Sequence, residues 1–276
     1  MVVSRIAPTP SGYLHLGNAV NFLLTAWYVR SRAGKLLLRI DDMDATRCRS
    51  AYVDDVFYAL EWLGIEIDEG PSGTEAFYRD YSMTRKTEQY REELRRLEEE
   101  SGLLYACECS RRTIEQHASD GIYPQLCKNS RLNLETHRSA MRIHVPDGTA
   151  VRVGEHVIML DRAMGDFILW RKDGLPAYQF VSVIEDRELG VNALVRGEDL
   201  LVSSAAQRYL APMMGAETFA DAAFVHHPLF VGEGQKKLSK SEGAYSLKMM
   251  GYTERAKAKV FEEARKMARL TGIEPL

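Results

Sequence analysis

The sequence predicts an α/β fold in which parallel strands are joined by crossover helices, and three observations lead to it. Short apolar runs alternate with segments of helical periodicity over residues 2–63. Glycine and proline clusters separate those runs, as connecting loops require. The chain of 276 residues is 45% hydrophobic and 27% charged, the composition of a globular protein with a sizeable core.

Each element follows from its local pattern. Residues 2–7 read as a strand, and a loop with Pro8, Pro10 and Gly12 follows. Residues 18–32 carry apolar side chains at helical spacing, Phe22, Trp27 and Val29 among them, and Gly34 is expected to stop that helix. Residues 35–40 form the next strand. Ser50 is expected to cap a helix through Leu63, with Val53, Val56, Phe57, Leu60 and Leu63 on one face and Gly64 at its end. Residues 80–100 make a strongly charged helix whose inner stripe is Tyr90, Leu94 and Leu97. Residues 104–158 then hold three of the four cysteines, several turn formers and short β-like runs, which read as an insertion interrupting the α/β fold. Strand patterns resume at 167–171, 177–183 and 193–196. A helix is expected at 203–214, a strand at 224–231 and a closing amphipathic helix at 254–270. The division is therefore 1–103 for the first half of the core, 104–158 for the inserted subdomain, 159–245 for the second half and 246–276 for a C-terminal helical segment.

The formal net charge of −3 and a pI near 6.2 exclude a bulk basic signature, so any nucleic-acid contact must come from a local Lys/Arg face. Arg85, Lys86, Arg91, Arg95, Arg96, Arg111 and Arg112 offer one such stretch, which helix-surface solvation explains equally well. No run approaches the roughly 18 apolar residues of a membrane span, and residues 1–6 show no signal-peptide pattern, so a cytoplasmic monomer with no membrane partner is expected. Four cysteines are too few for a disulfide scaffold; the grouping of Cys107, Cys109 and Cys127 suggests a metal instead.

Two segments carry phosphate chemistry. In the first, Arg5-Ile-Ala-Pro-Thr-Pro-Ser-Gly-Tyr-Leu-His15-Leu-Gly17-Asn18, a strand runs through a Pro/Gly loop into a helix start. A helix N-terminus presents N–H groups and a positive dipole end to an anion, Gly17 lets a nucleotide approach the backbone, and His15 can donate to phosphate oxygens. The second is Lys236-Lys237-Leu-Ser-Lys240-Ser241, flanked by Gly232, Gly234 and Gly243. Ammonium groups on a glycine-bordered loop suit the charge that develops in phosphoryl or nucleotidyl transfer. Either segment alone reads as a turn or a solvated surface loop.

Together, and in this order, they resemble the two signature sequences of class I aminoacyl-tRNA synthetases, in the form found in the glutamyl-tRNA synthetase group. The similarity runs on through Arg39-Ile-Asp-Asp-Met-Asp44, Asp173-Gly-Leu-Pro-Ala-Tyr178 and Val195-Arg-Gly-Glu-Asp199. The resemblance implies a Rossmann-like catalytic core that activates glutamate with ATP and Mg2+ and transfers it to tRNA. His15, Gly17, Lys237 and Lys240 would be catalytic, with Asn18 joining them around ATP. Arg5, Ile6, Ala7, Pro8, Thr9, Ser11, Asp41, Tyr178 and Arg196 would hold L-glutamate, with Asp41 on its ammonium and Arg5 and Arg196 on carboxylates. Many glutamate-specific relatives carry Glu in the place of Asp41, and the glutamine-specific branch carries Asp; Arg196 favours the acidic substrate.

The three cysteines need a fourth ligand to complete a tetrahedral zinc site. His117 is the ordinary choice on ligand chemistry. Cys107-x-Cys109 followed by Tyr123-x-x-x-Cys127, however, resembles the zinc motif of glutamyl-queuosine tRNA(Asp) synthetases, which implies Tyr123 as ligand to one structural Zn2+. Only 35 residues follow Ser241, so no anticodon-binding domain is expected after the lysine signature. With the cysteine pattern, this points to glutamylation of the queuosine base in the tRNA(Asp) anticodon stem-loop. The alternatives are a glutamyl- or glutaminyl-tRNA ligase fragment that charges the tRNA 3′ end, and a catalytically silent RNA-binding paralogue.

Overall fold

The computed structural model describes residues 1–118, 121–130, 132, 139–229 and 246–276. In chain order the elements are β1 (Val3–Ile6), α1 (Leu16–Arg30), β2 (Lys35–Leu38), α2 (Ser50–Leu63), α3 (Thr74–Ala76) and α4 (Thr87–Ser101). There follow β3 (Leu104–Cys107), α5 (Arg111–His117), β4 (Ala140–Ile143), β5 (Ala150–Val153), β6 (His156–Met159), α6 (Leu160–Ala163) and β7 (Phe167–Trp170). The last are α7 (Tyr178–Glu188), β8 (Ala193–Gly197), α8 (Leu201–Leu210), α9 (Glu217–Ala220), β9 (Ala223–His227) and α10 (Glu254–Thr271). None of the described helices is long and apolar enough to cross a membrane. The chain forms two compact units, one of residues 1–85, 191–200 and 222–276, the other of residues 86–190 and 201–221.

The first unit is built on parallel strand pairs, β1 with β2 and β8 with β9. Asn192 joins the pairs at their starts: its side-chain oxygen accepts from the Val3 N–H at 2.8 Å, and its own N–H donates to Val3 O at 3.0 Å. The starts of β1 and β8 therefore adjoin, and within each pair the C-terminal ends of the strands lie at one edge. α1 is buried along most of its length, as a helix with apolar residues around its whole circumference must be. Val53, Val56, Ala59, Leu60 and Leu63 of α2 and Val260, Ala264 and Ala268 of α10 belong to the same core. Gly34 does not act as the expected helix stop. α1 ends at Arg30, the left-handed position past it is Ala33 at φ 47°, and Gly34 is required because a Cβ there would stand 2.6 Å from Val2 O. Gly64 does end α2, at φ 72°, whereas the N-cap position falls on Arg49 and Ser50 lies inside the helix.

The second unit holds the antiparallel sheet β3-β4-β7 and the hairpin β5-β6. α4 buries Tyr90, Leu94 and Leu97, the stripe its sequence predicts. It starts at Thr87 and not near 80, because Asp42 accepts the Met83 N–H at 2.8 Å and fixes a separate turn over Met83–Lys86. Within the unit, α4 is pinned to α7: Lys86 Nζ lies 2.8 Å from Glu185, the Tyr90 hydroxyl donates to the same carboxylate at 2.7 Å, and Arg187 pairs with Glu93 at 2.7 Å. Residues 177–183, expected as a strand, are the start of α7. Their apolar run is short and continuous, so both periods fit it, and seven consecutive residues from Phe180 to Asp186 are buried. The segment 104–158 of the sequence reading falls inside this unit.

Candidate functional site

The N-terminal signature occupies the strand-edge position where α/β sheets present ligand sites. The β1–β2 ladder continues past the strands, with the Arg39 N–H donating to Ile6 O at 2.9 Å and the Asp41 N–H to Pro8 O at 2.9 Å. These bonds bring Asp41 beside Ile6, Ala7 and Pro8. Arg5 is buried in β1 and Arg196 in β8, where its guanidinium lies 5.7 Å from the Phe224 ring centroid. Thr9 is exposed and Ser11 half-buried, with the Ser11 N–H donating to Thr9 O at 2.8 Å.

His15 is the N-cap of α1, in an extended conformation, half-buried together with Gly17 and Asn18. The Asn18 side-chain oxygen accepts the His15 N–H at 3.0 Å, which gives Asn18 a local reason to be there. Asp55 on α2 fixes this loop from below: it is buried, accepts the Leu14 N–H at 2.8 Å and the Tyr252 hydroxyl at 2.5 Å. The carboxylate and burial together push the Tyr252 pKa up, burial being the larger cause.

Lys237 and Lys240 lie outside the described residues. The residues flanking that stretch both reach the start of α1. His227 at the end of β9 places Nε2 3.1 Å from Asn21 Oδ1, and Ser246 bridges to His15 while the Leu247 N–H donates to Leu14 O at 2.8 Å. Burial lowers the His227 pKa. Lys248 stands 2.7 Å from the Tyr13 hydroxyl.

Asp41 and Asp42 have different environments. Asp41 is held by Arg39, with Nε at 2.7 Å and a terminal nitrogen at 3.1 Å. Asp42 is 3% exposed and accepts Ser82 Oγ at 2.5 Å and the Met83 N–H at 2.8 Å. Burial raises its pKa despite those bonds. Asp42 is thus no solvated turn residue but an anchor for the 82–86 turn.

Tyr178 belongs to the second unit, where it opens α7 and is 41% exposed. The same unit brings the cysteines together. The Cys107, Cys109 and Cys127 sulfurs lie within 4.8 Å of one another, with Cys109 and Cys127 3.4 Å apart. The Tyr123 hydroxyl stands among them, 3.3 Å from Cys107 Sγ and 3.6 Å from Cys109 Sγ, and accepts the Cys127 N–H at 3.0 Å. His117 is directed elsewhere: its Nδ1 is 2.8 Å from Thr113 O on its own helix. Burial pushes the Cys109 thiol up to about 11. At Cys127 burial acts the same way, but bonds from the Tyr123 hydroxyl and the Glu108 backbone outweigh it and lower the pKa.

Four charged residues of these sites went unassigned in the sequence reading: Arg39, Asp55, Arg142 and Lys172. Arg39 and Lys172 stood inside or beside quoted motifs, so their position was a signal; Asp55 and Arg142 act across long sequence separations and gave none. Lys172 donates to the Glu108 and Cys109 carbonyls at 2.6 and 3.0 Å. This ties the Cys107–Cys109 turn to the loop that leads to Tyr178.

Residues 1–274 match the family model described as tRNA synthetases class I (E and Q), catalytic domain. A glutamate--tRNA ligase of Sulfurihydrogenibium sp. is 34% identical over 262 residues, covering 89% of this chain and 54% of that protein. A glutamyl-Q tRNA(Asp) synthetase of Nitratidesulfovibrio vulgaris is 33% identical over 267 residues, covering 91% of this chain and 81% of that protein. The chain thus spans about half the length of the first relative and about four fifths of the second. The crystal structure of a glutamate-tRNA synthetase from Elizabethkingia anophelis superposes with a TM-score of 0.71 at 24% identity, covering 88% of this chain and 53% of that one, which establishes the shared fold. On the match to residues 1–274, and on relatives a third identical across most of its length, the chain belongs to the class I tRNA synthetases of the E and Q group and carries the catalytic domain of that ligase family.

Proposed function

We propose that the chain activates glutamate with ATP and transfers it to tRNA, with the queuosine base in the anticodon of tRNA(Asp) as acceptor. The observation that carries the choice of acceptor is the gathering of Cys107, Cys109 and Cys127 around the Tyr123 hydroxyl. That ligand set is what the resemblance to glutamyl-queuosine tRNA(Asp) synthetases implies, and a relative bearing such a name is matched over 81% of its length.

In the activation step an oxygen of the glutamate α-carboxylate bonds to the α-phosphorus of ATP, and the bond to the pyrophosphate oxygen breaks. A carboxylate is ionised at neutral pH, so no general base is needed. Positioning and charge stabilisation suffice. His15, Gly17 and Asn18 at the start of α1 hold the nucleotide, and Lys237 and Lys240 neutralise the phosphates. Arg5 and Arg196 pair with the substrate carboxylates and Asp41, held by Arg39, with the ammonium. Ile6, Ala7, Pro8, Thr9 and Ser11 line the pocket, and Tyr178 is the further glutamate-binding residue that the resemblance implies. Mg2+ bound with ATP supplies further charge neutralisation. In the second step an acceptor hydroxyl oxygen bonds to the glutamyl carbonyl carbon, AMP leaves, and the hydroxyl proton is released.

The residues fit a zinc ion. With zinc–sulfur bonds of about 2.3 Å and a zinc–oxygen bond of about 2.0 Å, tetrahedral ligand atoms stand roughly 3.5 to 3.8 Å apart. The sulfur–oxygen distances of 3.3 and 3.6 Å and the sulfur–sulfur distance of 3.4 Å are close to that spacing. Cys107, Cys109, Tyr123 and Cys127 would hold one structural zinc.

The test is to incubate the purified chain with ATP, labelled glutamate and bulk tRNA and to map the labelled nucleotide. Label at the anticodon base of tRNA(Asp) is expected. Label at the 3′ end would make the chain a conventional ligase, a reading favoured by the 34% identity to a glutamate--tRNA ligase. Absence of glutamate-dependent ATP–pyrophosphate exchange would leave a silent paralogue.

A further inference from the structure

Arg142 lies in β4, 6% exposed, with its guanidinium carbon 3.8 Å from the centroid of the Tyr123 ring. One terminal nitrogen donates to Asp166 O at 2.8 Å. Its Nε finds no hydrogen-bond partner, and no carboxylate pairs with it among the described residues. The nearby Asp166 carboxylate is occupied otherwise: it accepts the Tyr105 hydroxyl at 2.6 Å, the Val145 N–H at 2.8 Å and a bond with His144 Nδ1 at 3.0 Å. Asp166 sets one negative charge close to this buried cation but makes no ion pair with it, so further negative charge on the other side of the guanidinium would favour its burial.

The metal centre supplies that charge. Zinc with three thiolates and a phenolate carries a net charge of about minus two. Two cations face this ligand set from the same unit: Arg142 on the phenol ring, and Lys172 on the Glu108 and Cys109 carbonyls. The contact with Tyr123 is also geometric. The ring is packed under the guanidinium on one face, while its hydroxyl is fixed by the Cys127 N–H at 3.0 Å.

We propose that Arg142 is a positioning residue of the zinc centre, holding the Tyr123 ring with its oxygen among the three sulfurs and balancing the charge of the ligand set. The proposal rests on the zinc reading above and goes beyond it by assigning a residue outside the four ligands. It distinguishes Arg142 from an ordinary strand residue, because the part of its effect that positions the ligand, the larger part, passes through the Tyr123 oxygen.

The experiment measures zinc per chain and zinc affinity by chelator competition for the full chain, for Arg142→Met, Arg142→Lys, Tyr123→Phe and the double variant Tyr123→Phe with Arg142→Met. The Co2+-substituted proteins are compared by their visible absorption. Wild type should bind one zinc per chain. Removal of the cation should weaken zinc about 10- to 100-fold, the range for residues that orient metal ligands, and should change the cobalt spectrum. Arg142→Lys, which keeps charge but loses the planar stack, should fall between. In the Tyr123→Phe background Arg142→Met should weaken zinc little further. An Arg142→Met chain with wild-type affinity and spectrum overturns the proposal. So does a loss of equal factor in both backgrounds, since Arg142 would then act independently of the tyrosine oxygen. If Arg142→Met fails to fold, the same cycle is run with Arg142→Lys, with the same two overturning outcomes. A wild-type chain that binds no zinc overturns the metal reading itself, and the role of Arg142 with it.

Discussion

Asp41 and Asp42 are neighbours in sequence, and their environments separate a residue proposed for substrate binding from one that holds the fold. Asp42 is buried and its pKa is raised, chiefly by desolvation. A carboxyl with a raised folded pKa binds more protons in the native than in the unfolded state just above its ordinary value, so wild-type stability falls as pH rises through that window. Asp42→Asn keeps an acceptor for the Met83 N–H and has no charge to bury. Its urea midpoint should therefore gain on wild type between pH 4 and pH 7; a difference independent of pH would contradict the burial argument. Asp41 makes the complementary case. Arg39 orients it with two hydrogen bonds, and Lys cannot reproduce that bidentate hold. Arg39→Lys should raise the KM for glutamate in ATP–pyrophosphate exchange about 10-fold, corresponding to about 1.4 kcal/mol, with the KM for ATP little changed. Equal effects on both substrates would place the role of Arg39 elsewhere. In the sequence, the aspartates were visible as chemistry, but which one is buried was not. Burial depends on Ser82 and Met83, some forty residues away, and no local pattern reports it.

The elements were legible where period and length agreed. The face of α2 ending at Gly64, the stripe of α4 and the strand-loop-helix at residues 3–30 could be read because each is long enough to display its period or is bounded by a specific turn residue. The start of α7 could not be read, since a continuous apolar run fits a buried strand and a buried helix equally. Gly34 was noticed for the wrong reason: contact with Val2 O, a tertiary fact, requires it. The support of the His15 loop was also invisible, because Asp55 on α2 collects the Leu14 N–H and the hydroxyl of Tyr252 from across the chain. This carboxylate links the loop before α1 to the segment entering α10. Tyr252→Phe deletes one of the two bonds and leaves Asp55 in place, at a cost of about 1.5 to 3 kcal/mol for a bond to a charged acceptor. Thermal unfolding should show that loss. If Asp55 positions the loop, kcat of ATP–pyrophosphate exchange should fall several-fold while the KM for glutamate stays put. A lower melting temperature with unaltered kcat would confine Tyr252 to stability.

At the scale of the whole molecule both units bury apolar cores, the second with Tyr90, Leu97, Ile143, Leu169, Phe180 and Phe219 among its fully buried residues, and the cysteine segment stands apart from both. The first rests on a large continuous apolar core shared by α1, α2, α10 and the parallel strands. Around the cysteines the apolar cluster is small, formed by Tyr105, Cys107 and Tyr123 with Cys109, Ile114 and Cys127 packed against it. So few side chains bury too little area to fix a turn-rich segment against its conformational entropy, and a bound metal is the usual supplement in such cases. Lys172 extends the dependence to the loop before Tyr178, through the Glu108 and Cys109 carbonyls. Zinc removal should therefore loosen the second unit locally. In hydrogen exchange of the full chain, a chelator should speed exchange at residues 104–109, 123–127 and 171–178 while β1, β2 and α1 keep their protection, because their core contains none of the proposed ligand residues. Added zinc should restore the slow exchange. Unchanged exchange around Cys107–Cys127 would mean that the sulfur cluster is held by packing alone, and loss of protection in β1 and β2 as well would mean that the metal supports the whole chain.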